Sequence, residues 1–185
     1  MDDIVYYSGQ FLLAMPGMGD PRFNRSIIAL CSHDENGALG INLGEVSHEI
    51  SFHGILQQFN IDTNGVADRP VYAGGPVEQQ RGFIIHSLDY NLSDTIQVGN
   101  RWGLSSSLDI LHMIAKGKGP KHWIAALGYS GWAPNQLENE LTQNGWAVAP
   151  GDPKWLYGNE TNRWQSAWDA QGIDVAKLSG QFGSA

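Results

Sequence analysis

Two histidines and a glutamate fall close together in His48-Glu49-Ile50-Ser51-Phe52-His53, a composition that suits a zinc-dependent hydrolase. That chemistry needs histidines at i and i+4, where they leave one face of a helix and share a metal. Here they stand at i and i+5, which on a helix of 3.6 residues per turn separates them by ~140°, so no metal is expected. Gly128-Tyr129-Ser130-Gly131 resembles half of a nucleophile elbow, but the elbow needs glycine two places after the serine, where Trp132 stands. The α/β-hydrolase order also places a histidine after the serine, and the last histidine is His122. A triad in another order would need a histidine before the serine. Ser130 and Gly131 read instead as a strand-to-helix turn. In Ala115-Lys116-Gly117-Lys118-Gly119-Pro120-Lys121 a phosphate-binding P-loop fails twice. His112 occupies the place of its first glycine, and Gly119 that of its Ser or Thr. Gly37, Gly40 and Gly44 have the wrong spacing for a dinucleotide fingerprint. Cys31 sits in an apolar run with no basic residue nearer than Arg25, the setting of an inert buried thiol. No cofactor is expected from these motifs, and no catalytic residue is assigned.

The elements that must position such groups are short and strand-rich. The apolar run 26–31 reads as a buried strand, and Asp34-Glu35-Asn36-Gly37 turns it into a second strand over 38–43. Phe52, Ile55, Leu56 and Phe59 recur at helical spacing behind Ser51, a plausible N-cap. Strands are expected over 70–73 and 82–86, around the turn Gly74-Gly75-Pro76. A hairpin is expected from 95–98 and 102–105. Ser107 is expected to cap a helix with the stripe Leu108, Leu111, Ile114 and Ala115, stopped by Gly117. A strand over 123–127 follows. Pro134 then suits the first turn of a helix carrying Leu137 and Leu141, with a strand over 146–149 after it. Trp164, Ala167 and Trp168 mark a last amphipathic helix ending at Gly172, with a helical turn over 174–178. This order lacks a steady strand-helix alternation, so a mixed sheet with peripheral helices is expected rather than a doubly wound one. All seven tryptophans lie at or after position 102, as when large aromatics pack C-terminal helices onto a sheet.

The chain has 185 residues, enough to bury a core without staples, and is expected to form a single domain over 1–185. It carries 11 basic against 19 acidic residues, a formal net charge of −8, and all five lysines follow residue 115. Direct nucleic-acid binding draws on a surplus of Lys and Arg facing phosphates and is not expected. No apolar stretch is long enough to span a membrane, the start Met1-Asp2-Asp3 lacks the charge of a secretory signal, and one cysteine forms no internal disulfide. A cytoplasmic location is expected.

Two segments stand out. Met15-Pro16-Gly17-Met18-Gly19-Asp20-Pro21-Arg22-Phe23 packs two prolines, two glycines and an aspartate into an unusual loop. Val71-Tyr72-Ala73-Gly74-Gly75-Pro76-Val77-Glu78 is followed by Arg81-Gly82-Phe83-Ile84-Ile85-His86. Together with His33–Gly40, Ala126–Trp132, Gln136–Leu141, Asn144-Gly145-Trp146 and Arg163-Trp164, these blocks resemble the AlgH/YqgE family of bacterial proteins over nearly the whole chain. The resemblance implies an α+β fold in which a mixed, forked β-sheet curls into a pseudo-barrel with peripheral helices. It implies no established reaction and no agreed catalytic residues, only a regulatory role of the kind for which the family is named. One departure is visible: members continue the Gly-Ala-Leu-Gly block into Val-Ile-Asn, a basic residue and Pro. Gly40-Ile41-Asn42-Leu43-Gly44-Glu45 has neither Arg nor Pro.

The expected function is that of a non-enzymatic regulatory or binding protein, with any effect on transcription indirect. The alternative is a site for a small anionic molecule between the 15–24 and 74–81 loops, used for binding or for catalysis. Asn24, Arg25, Arg81 and His86 would supply polar side chains beside the backbone N–H groups of Gly74 and Gly75. Against that pocket, Arg81 could simply pair with Glu78. Oligomeric state and any protein partner are not legible.

Overall fold

The structure is a computed structural model describing residues 5–17, 20–158 and 162–179. Met18, Gly19 and the acidic start at Met1–Asp3 therefore lie outside the described residues. Ten strands build one curled sheet. They are β1 (Phe11–Ala14), β2 (Ile27–Asp34), β3 (Gly37–Asn42), β4 (Val46–Ser51), β5 (Pro70–Ala73), β6 (Val77–His86), β7 (Ile96–Val98), β8 (Trp102–Ser105), β9 (Trp123–Trp132) and β10 (Trp146–Ala149). The main path runs β10-β1-β2-β3-β9-β6-β8-β7, with β4 joined to β5 and β5 to β9. Six helices surround it among the described residues: α1 (Phe52–Gln58), α2 (Leu108–Ala115), α3 (Gln136–Thr142), α4 (Pro153–Tyr157), α5 (Arg163–Ala170) and α6 (Val175–Ser179).

β9 makes the fork. On one side it pairs antiparallel with β6, Trp123 to Leu127 against His86 to Gly82 and, past a break in register, Tyr129 against Val77. On the other side its first half pairs parallel with β5, Ala125 to Leu127 against Val71 to Ala73. Its second half pairs antiparallel with β3, Ser130 to Trp132 against Gly40 to Ala38. Gly74 fills the crotch: its N–H donates to the Leu127 carbonyl, and its own carbonyl accepts from Asn42 N–H. The bend in β9 falls at Gly128, whose φ of +74° is a backbone region that favours glycine.

The curl lets several strands bury both faces. On β1, Phe11 and Leu13 face the inner layer while Leu12 and Ala14 face an outer one. The inner layer runs around the concave surface and is closed by Trp164, Ala167 and Trp168 of α5 and Val175 of α6. α1 and α2 cover the outer face of β5, β6 and β9, and α3 covers that of β1 and β2. Among the described residues no helix is long and apolar enough to cross a membrane.

Three local expectations are corrected. Ser107 makes no side-chain cap, and α2 buries Ile110, Ile114 and Ala115, leaving Leu108 46% exposed. The stripe is rotated because the helix packs over Trp123 and Phe52 while its first turn borders open space. Ser130 and Gly131 are not a turn: β9 runs through them, because the fork supplies β3 as a partner. Pro134 precedes α3 rather than opening it; Asn135, left-handed at φ +63°, is the N-cap. β4 and α4 had no counterpart in the sequence reading.

Candidate functional site

A cleft of about 560 Å³ lies on the outer face, between α1, the start of α2 and the strands β6 and β9. Ile55 and Phe59 wall one side and Leu108 and Leu111 the other, with Phe83, Ala125 and Leu127 as the floor. Phe59 and Leu108 keep 48% and 46% of their surface exposed at the mouth. A volume in the hundreds of cubic ångströms with apolar walls and few polar groups is the usual form of a small-molecule site. Glu49, Gln58, Gln79 and Gln80 add polar groups to the lining. Ser106 and Ser107 precede α2, and the Ser107 hydroxyl is buried with no hydrogen-bond partner among the described residues. Arg81 stands beside them, its Nη2 3.4 Å from Ser106 Oγ and its Cζ 5.1 Å from the Phe83 ring centroid.

The six residues singled out for an anion pocket are distributed as follows. Arg81 does pair with Glu78, Nη1 to Oε2 at 3.3 Å, with both side chains about half exposed, a geometry of little energetic weight. Asn24 is exposed in a turn, and Arg25, left-handed at φ +55°, lies 5.8 Å from the Trp164 ring centroid. The Gly74 N–H is spent on Leu127, and a Cβ on Gly75 would meet the backbone of Tyr129 at 2.1 Å, so these glycines serve close packing at the fork. His86 is fully buried at the far end of β6. None of the six lines the cleft; Arg81 comes nearest to it, through its contact with Ser106, which does.

The two distinctive loops do approach each other elsewhere. Asp20 and Phe23 from the first and Pro76 from the second line a smaller pocket of about 260 Å³ with Trp132, Glu140 and Trp146. Glu140 is held there by both indoles, Trp132 Nε1 donating at 2.9 Å and Trp146 Nε1 at 2.8 Å to the same oxygen, while Gln136 donates to the other at 3.0 Å. An aromatic, acidic pocket is the wrong electrostatics for an anion. Glu140 was not singled out in the sequence, although the indoles that hold it stand only eight and six residues away, at either end of α3.

His86 is instead part of a buried polar network. Its Nε2 lies 2.9 Å from Ser105 Oγ and its Nδ1 3.0 Å from the Ser87 carbonyl, and Ser105 Oγ is 2.8 Å from Thr95 Oγ1. With Nδ1–H donating to the carbonyl, Nε2 accepts from Ser105. Burial, its largest influence, holds the imidazole below its usual pKa and so neutral. A histidine ahead of a serine is one of the chain orders in which hydrolytic triads occur, but His86 is 0% and Ser105 1% exposed, so no substrate carbonyl reaches the hydroxyl. Ser130 donates to the Gly74 carbonyl. Burial pushes the Cys31 thiol up to about 12. His48 and His53 fall on β4 and α1, and His53 Nε2 is 2.7 Å from the Val66 carbonyl. Among the described residues no group of His, Cys, Asp and Glu is placed to hold a metal ion.

A forked, curled half-barrel sheet wrapped by six helices, with an apolar cleft on its outer face, defines an α+β protein of a particular architecture. The chain belongs to the AlgH-like family (DUF179), whose model matches residues 11–176. A UPF0301 protein of Novosphingobium aromaticivorans is 50% identical over the full length of both chains, and one of Rhizorhabdus wittichii 44% identical over the same span. The solution structure of the AlgH protein from Pseudomonas aeruginosa matches with a TM-score of 0.78 at 32% identity, covering both chains completely. A crystal structure of a protein from Corynebacterium diphtheriae shares the fold with a TM-score of 0.75 at 23% identity, covering 97% of this chain and 94% of its own.

Proposed function

We propose that this chain is a cytoplasmic, non-enzymatic binding protein whose outer cleft takes an amphipathic organic anion. The carrying observation is the α2 end of the cleft, where the buried Ser107 hydroxyl meets no partner among the described residues and Ser106 lies 3.4 Å from the Arg81 guanidinium just outside the lining. An apolar body buried along Phe59, Phe83 and Leu108 would gain roughly 25 cal/mol per Å² removed from water. A carboxylate or phosphate head would take Arg81 from Glu78, an exchange that costs little because their exposed pair is weak. The head would also approach the N-terminal end of α2, where backbone N–H groups favour negative charge. A regulatory role of the kind the AlgH name carries would then run through the liganded protein and whatever protein it meets, rather than through DNA.

Decanoate is a suitable probe, with decanol as its uncharged counterpart. Near-saturating decanoate is expected to raise the thermal midpoint, since ligand at ~100 times its dissociation constant adds ~2.7 kcal/mol to stability. Decanol is expected to do less, and Arg81→Ala to remove the difference between the two. No shift in the wild type, or an unchanged preference for decanoate in Arg81→Ala, would discard this reading.

A further inference from the structure

The inner layer of the curl contains a positive charge that meets no counter-charge among the described residues. Arg163 opens α5 and is 5% exposed. Its Nε and Nη1 are fully buried, and among the described residues neither meets an acceptor. Its Cζ lies 4.9 Å from the ring centroid of Tyr72 on β5. A ring face offsets only part of the desolvation of a guanidinium, and arginine does not escape the cost by shedding its proton. The chain has 19 acidic residues, yet the ion pairs formed by described side chains bind His33, Arg81, Lys154 and Lys177, not Arg163.

The ring that Arg163 faces repeats the same deficit. Among the described residues the Tyr72 hydroxyl is buried without a partner in a residue 3% exposed; Trp168 Nε1, five residues further along α5 and so turned ~140° from Arg163, is likewise unpartnered in a residue 2% exposed. Both belong to the inner core layer. Every one of these groups can donate a hydrogen bond, and the arginine and indole cannot accept one. Buried polar groups in native proteins are almost always satisfied, so a guanidinium and the tyrosine it faces, both lacking acceptors, mark the position of something that supplies them. Water supplies acceptors but leaves the charge uncompensated; an anion supplies both.

We propose that the inner face of the curl binds a small oxyanion, of the carboxylate or phosphate class, through Arg163, with the Tyr72 hydroxyl as a further donor. The site shares no residue with the outer cleft. Tyr72 sits beside the Gly74-Gly75-Pro76 fork, and Arg163 begins the helix that closes the concave layer. A bound anion would therefore tie α5 to β5 and stiffen the closure of the curl.

The full chain, dialysed into a chloride buffer free of phosphate, sulfate and carboxylates, would be unfolded by heat with inorganic phosphate, sulfate or acetate against sodium chloride of equal ionic strength. At least one oxyanion is expected to raise the midpoint by about 5 °C near saturation. Acetate against phosphate separates a planar from a tetrahedral ligand. Arg163→Met is expected to lose the response and Tyr72→Phe to reduce it. An Arg163→Met response equal to that of wild type would reduce the effect to general salting and overturn the proposal. Because Arg163→Met removes a core side chain, the wild type is followed separately by nitrogen-15 NMR. A slowly exchanging arginine Nε–H is expected to shift in a saturable way with the effective oxyanion; no shift with any of the three ions would equally overturn it.

Discussion

His86 is one group through which folding is coupled to acid. Its imidazole is kept neutral by burial among Ser105, Ser87 and Thr95, with its folded pKa below the ordinary value of 6.5. The sign follows from linkage: the unfolded chain protonates His86 first as pH falls, so stability is present above 6.5 and is lost as pH drops through that value toward the lower folded one. Asp68 and Asp89 are also lowered, by hydrogen bonds to the His53 backbone and the Ser87 hydroxyl respectively. Their contributions fade only below the ordinary aspartate value of 3.8, outside this window. The urea midpoint is therefore expected to fall between about pH 7.5 and about pH 5.5, and His86→Asn, less stable throughout, to show a flatter slope. An equal slope in both proteins would assign the acid response to other groups. At this scale the sequence was partly legible. The Arg81–Glu78 pair is a neighbour contact and was foreseeable from spacing. The burial of His86 was not, because it depends on β8 and Thr95 closing over one end of β6.

The fork is the element that makes this sheet, and glycine makes the fork. A Cβ on Gly128 would stand 2.5 Å from the Gly75 carbonyl oxygen and 3.0 Å from that of Val77, at a φ of +74° that is itself unfavourable for alanine. Gly82, on β6 and opposite Leu127 of the same ladder, would bring a Cβ no nearer than 4.0 Å to any atom. Gly128→Ala is expected to cost about 2–4 kcal/mol in chemical unfolding, and Gly82→Ala no more than about 1 kcal/mol. Equal costs would mean that β9 bends without help from Gly128. The hairpins β2–β3 and β7–β8 were readable because their turns lie between adjacent runs. The β5–β9 pairing was not, since a parallel ladder joins residues about fifty apart and leaves no local trace. For the same reason β9 seemed to stop at Leu127: Gly128 and Gly131 look like turn residues until β3 is placed alongside. β4 escaped notice because its burial does not alternate and its ladder is broken between Val46 and Ser51.

At the scale of the whole molecule, charge decides which partners the surface can approach. A formal net charge of −8 repels phosphate backbones over a Debye length, which is ~10 Å at 0.1 M salt. Few of the described cations offset this locally. Arg81, Lys154 and Lys177 are paired with carboxylates, Arg69 lies over the Trp123 ring at 4.5 Å, and the exposed Lys116, Lys118 and Lys121 make one short basic loop. Arg163, the best-placed donor cluster, is buried beyond the reach of a duplex. Nor does a helix stand clear to enter a groove: α2 and α5 each bury one side in a core layer. A mobility-shift series with duplex DNA is therefore expected to show no complex even at ~50 mM salt, where phosphate contacts are strongest. If a complex does form, its salt dependence discriminates further. A steep loss of affinity with salt would reveal a basic surface assembled in some other state of the protein, and would move regulation from an indirect to a direct mode. A complex insensitive to salt would point to contacts made without phosphates, which neither the composition nor the fold anticipates.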